Sequence, residues 1–166
     1  MPAHTHNQGF SLVELLVCLV LIGSLAAFAT PNWQRVQEAR RVDAARDQLI
    51  NDLQSARVRA LQQGESLQLS RLSGCAWATP ADTDWSCGWQ LSLKTSKAVL
   101  QTTAMDTPLK LTFGKSVPLD ISSRGDLGTV GERWVIQSRQ SVVNVAMTLC
   151  INSASRVRWQ SGDSCS

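Results

Sequence analysis

Residues 10–29 read FSLVELLVCLVLIGSLAAFA, and this run sets the architecture. It carries a single charge, Glu14, among twenty residues. A helix rising ~1.5 Å per residue covers a hydrocarbon core of ~30 Å over that length, so the run predicts a transmembrane helix over residues 10–30. An ordinary secretory signal is also polar first and apolar next. Three features argue against one. The preceding MPAHTHNQG has no Lys or Arg, no small-x-small cleavage site follows a short apolar run, and a carboxylate lies inside the run. A central charge costs roughly 2.5–3.5 kcal/mol on insertion scales, which marks Glu14 as functional.

Past the run, residues 31–63 predict an amphipathic helix. Val42, Ala45, Leu49, Leu53, Ala56 and Ala60 are spaced 3, 4, 4, 3 and 4, which makes one apolar stripe. Gly64 follows the last periodic residue as a C-cap. Phe10 through Gln63 is then one nearly continuous helix of roughly 80 Å, kinked at Pro31. Arg35, Arg40, Arg41, Arg46, Arg57 and Arg59 outnumber Glu38, Asp43, Asp47 and Asp52 on it. The spacing pairs Arg40 with Asp43 attractively and sets Asp43 against Asp47. These charges are expected to form a solvated surface, with an anion-binding track as the weaker reading.

From residue 64 the pattern changes to strands. Leu67, Leu69 and Leu72 open one, and Trp89, Leu91 and Leu93 alternate in a second. Leu109–Phe113, Val117–Ile121, Trp134–Ile136, Val142–Ile151 and Val157–Trp159 continue the series. Gly74, Thr79-Pro80, Gly114, Gly125, Gly128 and Gly131 divide the runs. The expected fold is α+β: a long N-terminal helix packed on a mostly antiparallel β-rich head, residues 64–166.

Composition narrows the function. The 166 residues carry 16 Lys+Arg against 13 Asp+Glu, a net +3 that permits an anionic partner without demanding one. There is no Tyr, and the only histidines, His4 and His6, precede the apolar run. If that stretch is removed, Ser-His-Asp, Cys-His and His-ligated metal chemistry are all excluded. No paired catalytic carboxylates and no phosphate loop stand out, and GDLGTVG at 125–131 reads as a turn-rich hairpin. The chain is expected to be no enzyme and to need no cofactor.

Cys18 lies in the apolar run as a small apolar residue. Cys75, Cys87, Cys150 and Cys165 allow three disulfide connectivities. Cys75 with Cys87 and Cys150 with Cys165 is favoured, since each pair brackets a turn-rich stretch. A zinc site is the lesser alternative, because the spacing is not C-x-x-C and histidine is missing. Disulfides place the head in an oxidising compartment.

The tail, CINSASRVRWQSGDSC, carries a candidate binding site. Alternation puts Arg156 and Arg158 on one face of a strand and Val157 on the other. Two guanidiniums ~7 Å apart match adjacent backbone phosphates of a nucleic acid. Trp159 stacks on a base or, more simply, packs into the core. Arg133 and Arg139 add to a net +3 over residues 133–166, four Arg against Asp163. The competing reading is an edge strand whose charges block aggregation.

GFSLVELL, residues 9–16, resembles the type III signal of type IV pilins and type II secretion pseudopilins. The resemblance implies a leader of residues 1–9 cut after Gly9 by a prepilin peptidase, N-methylation of Phe10, and recruitment of each subunit to the filament through Glu14. A buried Glu14 needs a cation, and a neighbouring subunit's Phe10 amine supplies one. It also implies a single-pass inner-membrane protein with its head in the periplasm, later in a pilus or pseudopilus beside other pilins. Pilin leaders usually carry Lys or Arg; here Arg35, Arg40 and Arg41 follow the run instead, against the positive-inside rule. The cleavage motif and the cysteines outweigh that rule.

Arg41, Ala45, Leu49, Leu53, Ala56-Arg57 and Ala60, with Gly88-Trp89 and the basic end, look like the GspH/FimT group of minor pilins. FimT members implicated in DNA uptake carry Gly-Arg-x-Arg near the C-terminus, and here Ser155-Arg156-Val157-Arg158 stands in its place. The resemblance implies a minor pilin binding extracellular DNA during natural transformation. The alternatives are a GspH-like pseudopilin of type II secretion without DNA binding, and a pilus-assembly initiator with only protein partners.

Overall fold

The computed structural model describes residues 11–128, 131–140 and 145–165, with backbone alone at 26–32. Gly9 and Phe10, the expected processing site, lie outside the described residues, as do 141–144 of the expected strand Val142–Ile151. One helix, α1, runs Leu12–Gln63, and the chain divides into two compact units, Met1–Val36 and Gln37–Ser166.

In the first unit, the hydroxyl of Ser11 accepts from the Val13 amide at 3.4 Å and caps the start of α1. Glu14 falls in the first turn, where the helix dipole favours a carboxylate. The side chains from Leu12 to Leu25 are exposed, Glu14 and Cys18 included. Among the described residues no helix is long and apolar enough to cross a membrane. The expected span of 10–30 extends past the described side chains at both ends. Helical backbone continues unbroken across position 31.

The second unit is built on the stripe. Val42, Leu49, Leu53, Ala56 and Ala60 are fully buried and Ala45 nearly so. The helix stops where Gly64 turns to φ +66°, its amide bonded to the Ala60 carbonyl at 2.9 Å. Among the described residues eight strands follow: β1 (Leu67–Arg71), β2 (Gly88–Leu93), β3 (Val99–Ala104), β4 (Leu109–Phe113), β5 (Leu119–Ile121), β6 (Arg133–Ser138), β7 (Ala146–Ile151) and β8 (Val157–Ser161). They form two four-stranded antiparallel sheets, ordered β3-β2-β1-β5 and β4-β6-β7-β8. Strand β3 was not expected. At Gly88 only glycine fits: φ is +107°, and a β-carbon would run into the Thr103 carbonyl of that strand.

One apolar core joins the stripe to both sheets. Trp85, Phe113 and Trp134 pack ring to ring in it, with centroids 4.5–5.8 Å apart. The segment before β2 ties the sheets together, since the Trp85 amide donates to Leu111 of β4 at 2.8 Å. Asp84 is the knot there. It accepts from the Thr79 amide at 2.7 Å, the Thr79 hydroxyl at 2.6 Å and the Ser86 amide at 2.9 Å. Burial alone would raise its pKa, but the Ser86 and Thr79 hydrogen bonds outweigh burial and hold it at about 2. Both favoured disulfides form, with Cα separations of 5.5 Å for Cys75–Cys87 and 6.0 Å for Cys150–Cys165.

The helix charges do more than face solvent. Asp52 gathers the Trp89 indole at 2.9 Å, the Thr103 hydroxyl at 2.7 Å and the Gln101 amide at 3.0 Å, and so fastens α1 to β2 and β3. Glu38 is buried, bonded by Arg41 at 2.6 Å and by Ser138 at 2.7 Å. The expected Arg40–Asp43 pair is replaced by Arg46, which bridges Asp43 at 3.0 Å and Asp47 at 2.8 Å. One cation between them removes the expected repulsion of the two acids.

Candidate nucleic-acid interface

The arginines of the tail are set by the register of β6, β7 and β8. Arg133 pairs with Cys150, and Cys150 pairs with Arg158. The three therefore form one row across the sheet, with Arg133 and Arg158 roughly 10 Å apart at Cα. Both are exposed. Neither they nor Arg156 makes an ion pair among the described residues. Glu132, the residue before Arg133, is engaged by Lys115 at 3.2 Å.

Arg156 corrects one expectation. It does not lie in a strand with Arg158; β8 begins at Val157, and Arg156 closes the turn before it. The turn is built by Asn152. Its side-chain oxygen accepts from the Ala154 amide at 3.0 Å and the Arg156 amide at 2.9 Å, and its own amide donates to the Arg156 carbonyl at 3.0 Å. Ser155 inside the turn takes φ +55°. The two arginines nonetheless stay exposed while Val157 between them is half-buried.

Arg139 is separated from this group. It stands just beyond the Ser138 end of β6, six residues from Arg133, roughly 20 Å along an extended strand. Its Nε donates to the Leu109 carbonyl at 3.3 Å, beside Glu38 and Arg41.

Trp159 faces the other way. It registers with Leu149, which registers with the buried Trp134, so it points to the core side of the sheet. It remains 54% exposed because β8 is an edge strand. The Arg46 guanidinium lies 4.7 Å from its ring centroid, a cation–π contact. It neither fills the core nor accompanies Arg158. The outward-facing positions of β6, β7 and β8 hold Arg133, Val135, Gln137, Ala146, Thr148, Cys150, Arg158 and Gln160, without an aromatic. Thr148 and Gln160 on this face are engaged by the tail, through the Gly162 and Ser164 carbonyls, so it offers the charge of Arg133 and Arg158 to a phosphate backbone and no platform for a base. No group of His, Cys, Asp and Glu able to hold a metal occurs among the described residues.

Residues 4–30 match the prokaryotic N-terminal methylation motif. Two curated fimbrial proteins of Pseudomonas aeruginosa are each 31% identical to this chain over 83 residues, which is 50% of this chain and 49% of theirs. The chain thus spans about half the length of the curated relatives it matches. Among solved structures, the type IV minor pilin FimU of Pseudomonas aeruginosa is similar in fold. One crystal form gives a TM-score of 0.58 at 21% identity, over 75% of this chain and 99% of that one. A second gives 0.55 at 19% identity, over 82% and 98%. The α+β pilin fold expected from the sequence is the fold observed. The relatives are structural pilin proteins and not enzymes, in keeping with the non-enzymatic reading.

Proposed function

We propose that this chain is a minor pilin of the FimT type, processed after Gly9, methylated at Phe10 and anchored in the inner membrane. Glu14 recruits it into a type IV pilus among other pilins. The head then binds extracellular nucleic acid through Arg156, Arg158 and Arg133 during natural transformation. The observation that supports this reading best is the row Arg133–Cys150–Arg158, two outward-facing guanidiniums without an ion pair among the described residues. Contacts confined to phosphates carry no sequence information, so binding is sequence-independent and favours no particular base. Arg139, at the far end of β6, lies outside this group.

A second reading is favoured by one observation. β8 is the edge of its sheet, where arginines also serve to prevent strand pairing between molecules. The chain is then a GspH-like pseudopilin with protein partners only.

The full chain in a nonionic detergent, titrated with random-sequence duplex at several salt concentrations, separates the two. For the uptake reading, the joint change of Arg156 and Arg158 to Gln lowers the salt slope by roughly two units and weakens binding to all sequences alike. An unchanged slope removes these arginines from the interface.

A further inference from the structure

Arg57 projects from α1 beneath the turn that carries Arg156. Its Nε donates to the Gly125 carbonyl at 2.8 Å and its Nη1 to the Ser155 carbonyl at 3.2 Å. It makes no ion pair among the described residues. The two turns it joins are also bonded to each other, because the Leu127 amide donates to the Ser155 hydroxyl at 3.0 Å. Gly125 closes its own turn through its amide and the Ser122 carbonyl at 2.8 Å. One half-buried guanidinium thus spans the loop after β5 in one sheet and the β7–β8 turn in the other.

We propose that Arg57 is the positioning residue of the arginine site: it fixes the Asn152–Arg156 turn, and through it the direction of Arg156 and the start of β8, without touching the ligand. This rests on the nucleic-acid reading above. The argument is geometric. A planar fork donates to two carbonyls that diverge from it, which an ammonium on a flexible stem does not reproduce. Holding the turn before the ligand arrives removes an ordering cost from binding.

The test compares Arg57→Met, Arg57→Lys and Arg156→Gln in the detergent-solubilised full chain. Two quantities are read: random-duplex affinity against salt, and amide hydrogen exchange at residues 152–156. For Arg57→Met the expected result is exchange about tenfold faster in that turn and affinity several-fold weaker, with the salt slope kept, since no phosphate contact is lost. Arg156→Gln should do the reverse, lowering the slope by about one unit and leaving exchange alone. If Arg57→Met melts the head, Arg57→Lys carries the test, with the same changes in smaller measure. Unchanged exchange in the turn overturns the proposal. So does a full unit lost from the salt slope in Arg57→Met, which would make Arg57 a phosphate contact. A wild-type chain that binds no duplex sinks the nucleic-acid reading alone, and the exchange data still decide whether Arg57 holds the turn.

Discussion

The Ser155 hydroxyl accepts the Leu127 amide at 3.0 Å while Ser155 itself stands at φ +55°. A left-handed backbone costs a non-glycine residue of order 1 kcal/mol, and one hydrogen bond to a buried amide returns about as much. Serine therefore does by side chain what glycine does by freedom. Ser155→Gly should stay within about 0.5 kcal/mol of the wild type. Ser155→Ala keeps the strain and orphans the Leu127 amide, so it should lose ~1–2 kcal/mol, or a few degrees of Tm in a chain this size. Thermal melts of the two variants check this; equal melting temperatures would refute it.

Asp84 gives the head an acid limit. Its folded pKa of about 2 lies below the ordinary 3.8, so its stabilisation is fully present above pH ~4 and is lost as pH falls towards 2. The full effect is on the order of 2 kcal/mol. Denaturant titrations between pH 2 and 5 should show the decline, and Asp84→Asn should flatten it while lowering stability at neutral pH.

Asp52 is a half-buried junction between helix and sheet. Asp52→Ala leaves the Trp89 indole N–H and the Thr103 hydroxyl without their acceptor. The expected loss is ~2–3 kcal/mol. A stability curve unchanged by this substitution would show the junction to be dispensable.

Trp159 points away from the arginine row, and this separates it from a base-stacking role. Trp159→Leu should leave nucleic-acid affinity within about twofold, whereas a stacked base would cost ~1–3 kcal/mol, more than fivefold. Titration with single-stranded and duplex ligands measures both.

Much of the fold was legible because the apolar pattern is strict. The stripe from Val42 to Ala60 repeats every three or four residues, and every one of those side chains is buried. Trp89 and Leu91, and Leu109, Leu111 and Phe113, alternate and are buried in the same way. Strand β3 escaped because it lies at a sheet edge, mostly exposed, with a register shift opposite Leu91 and Ser92. Edge residues need no apolar alternation, so VLQTTA leaves little signal. The division into two sheets depends on long-range pairing that no local pattern encodes. Arg156 and Arg158 could be picked out by spacing from Val157. Arg57 could not: on a helix its spacing marks a face, and only the tertiary fold places two carbonyls in front of it.

Cys150 is the register partner of Arg158, and its disulfide to Cys165 closes a covalent ring around β8. That ring has a mechanical consequence. A pull on Arg158 would otherwise peel an edge strand away one hydrogen bond at a time, the weakest way to load a sheet. Cys150 lies one register pair from the Asn152–Arg156 turn, so the sulfur bridge brings the tail back to the end of β8 that carries Arg158. Turn and bridge together hold that end of the strand, and a pull on Arg158 meets a covalent tie at its own register pair.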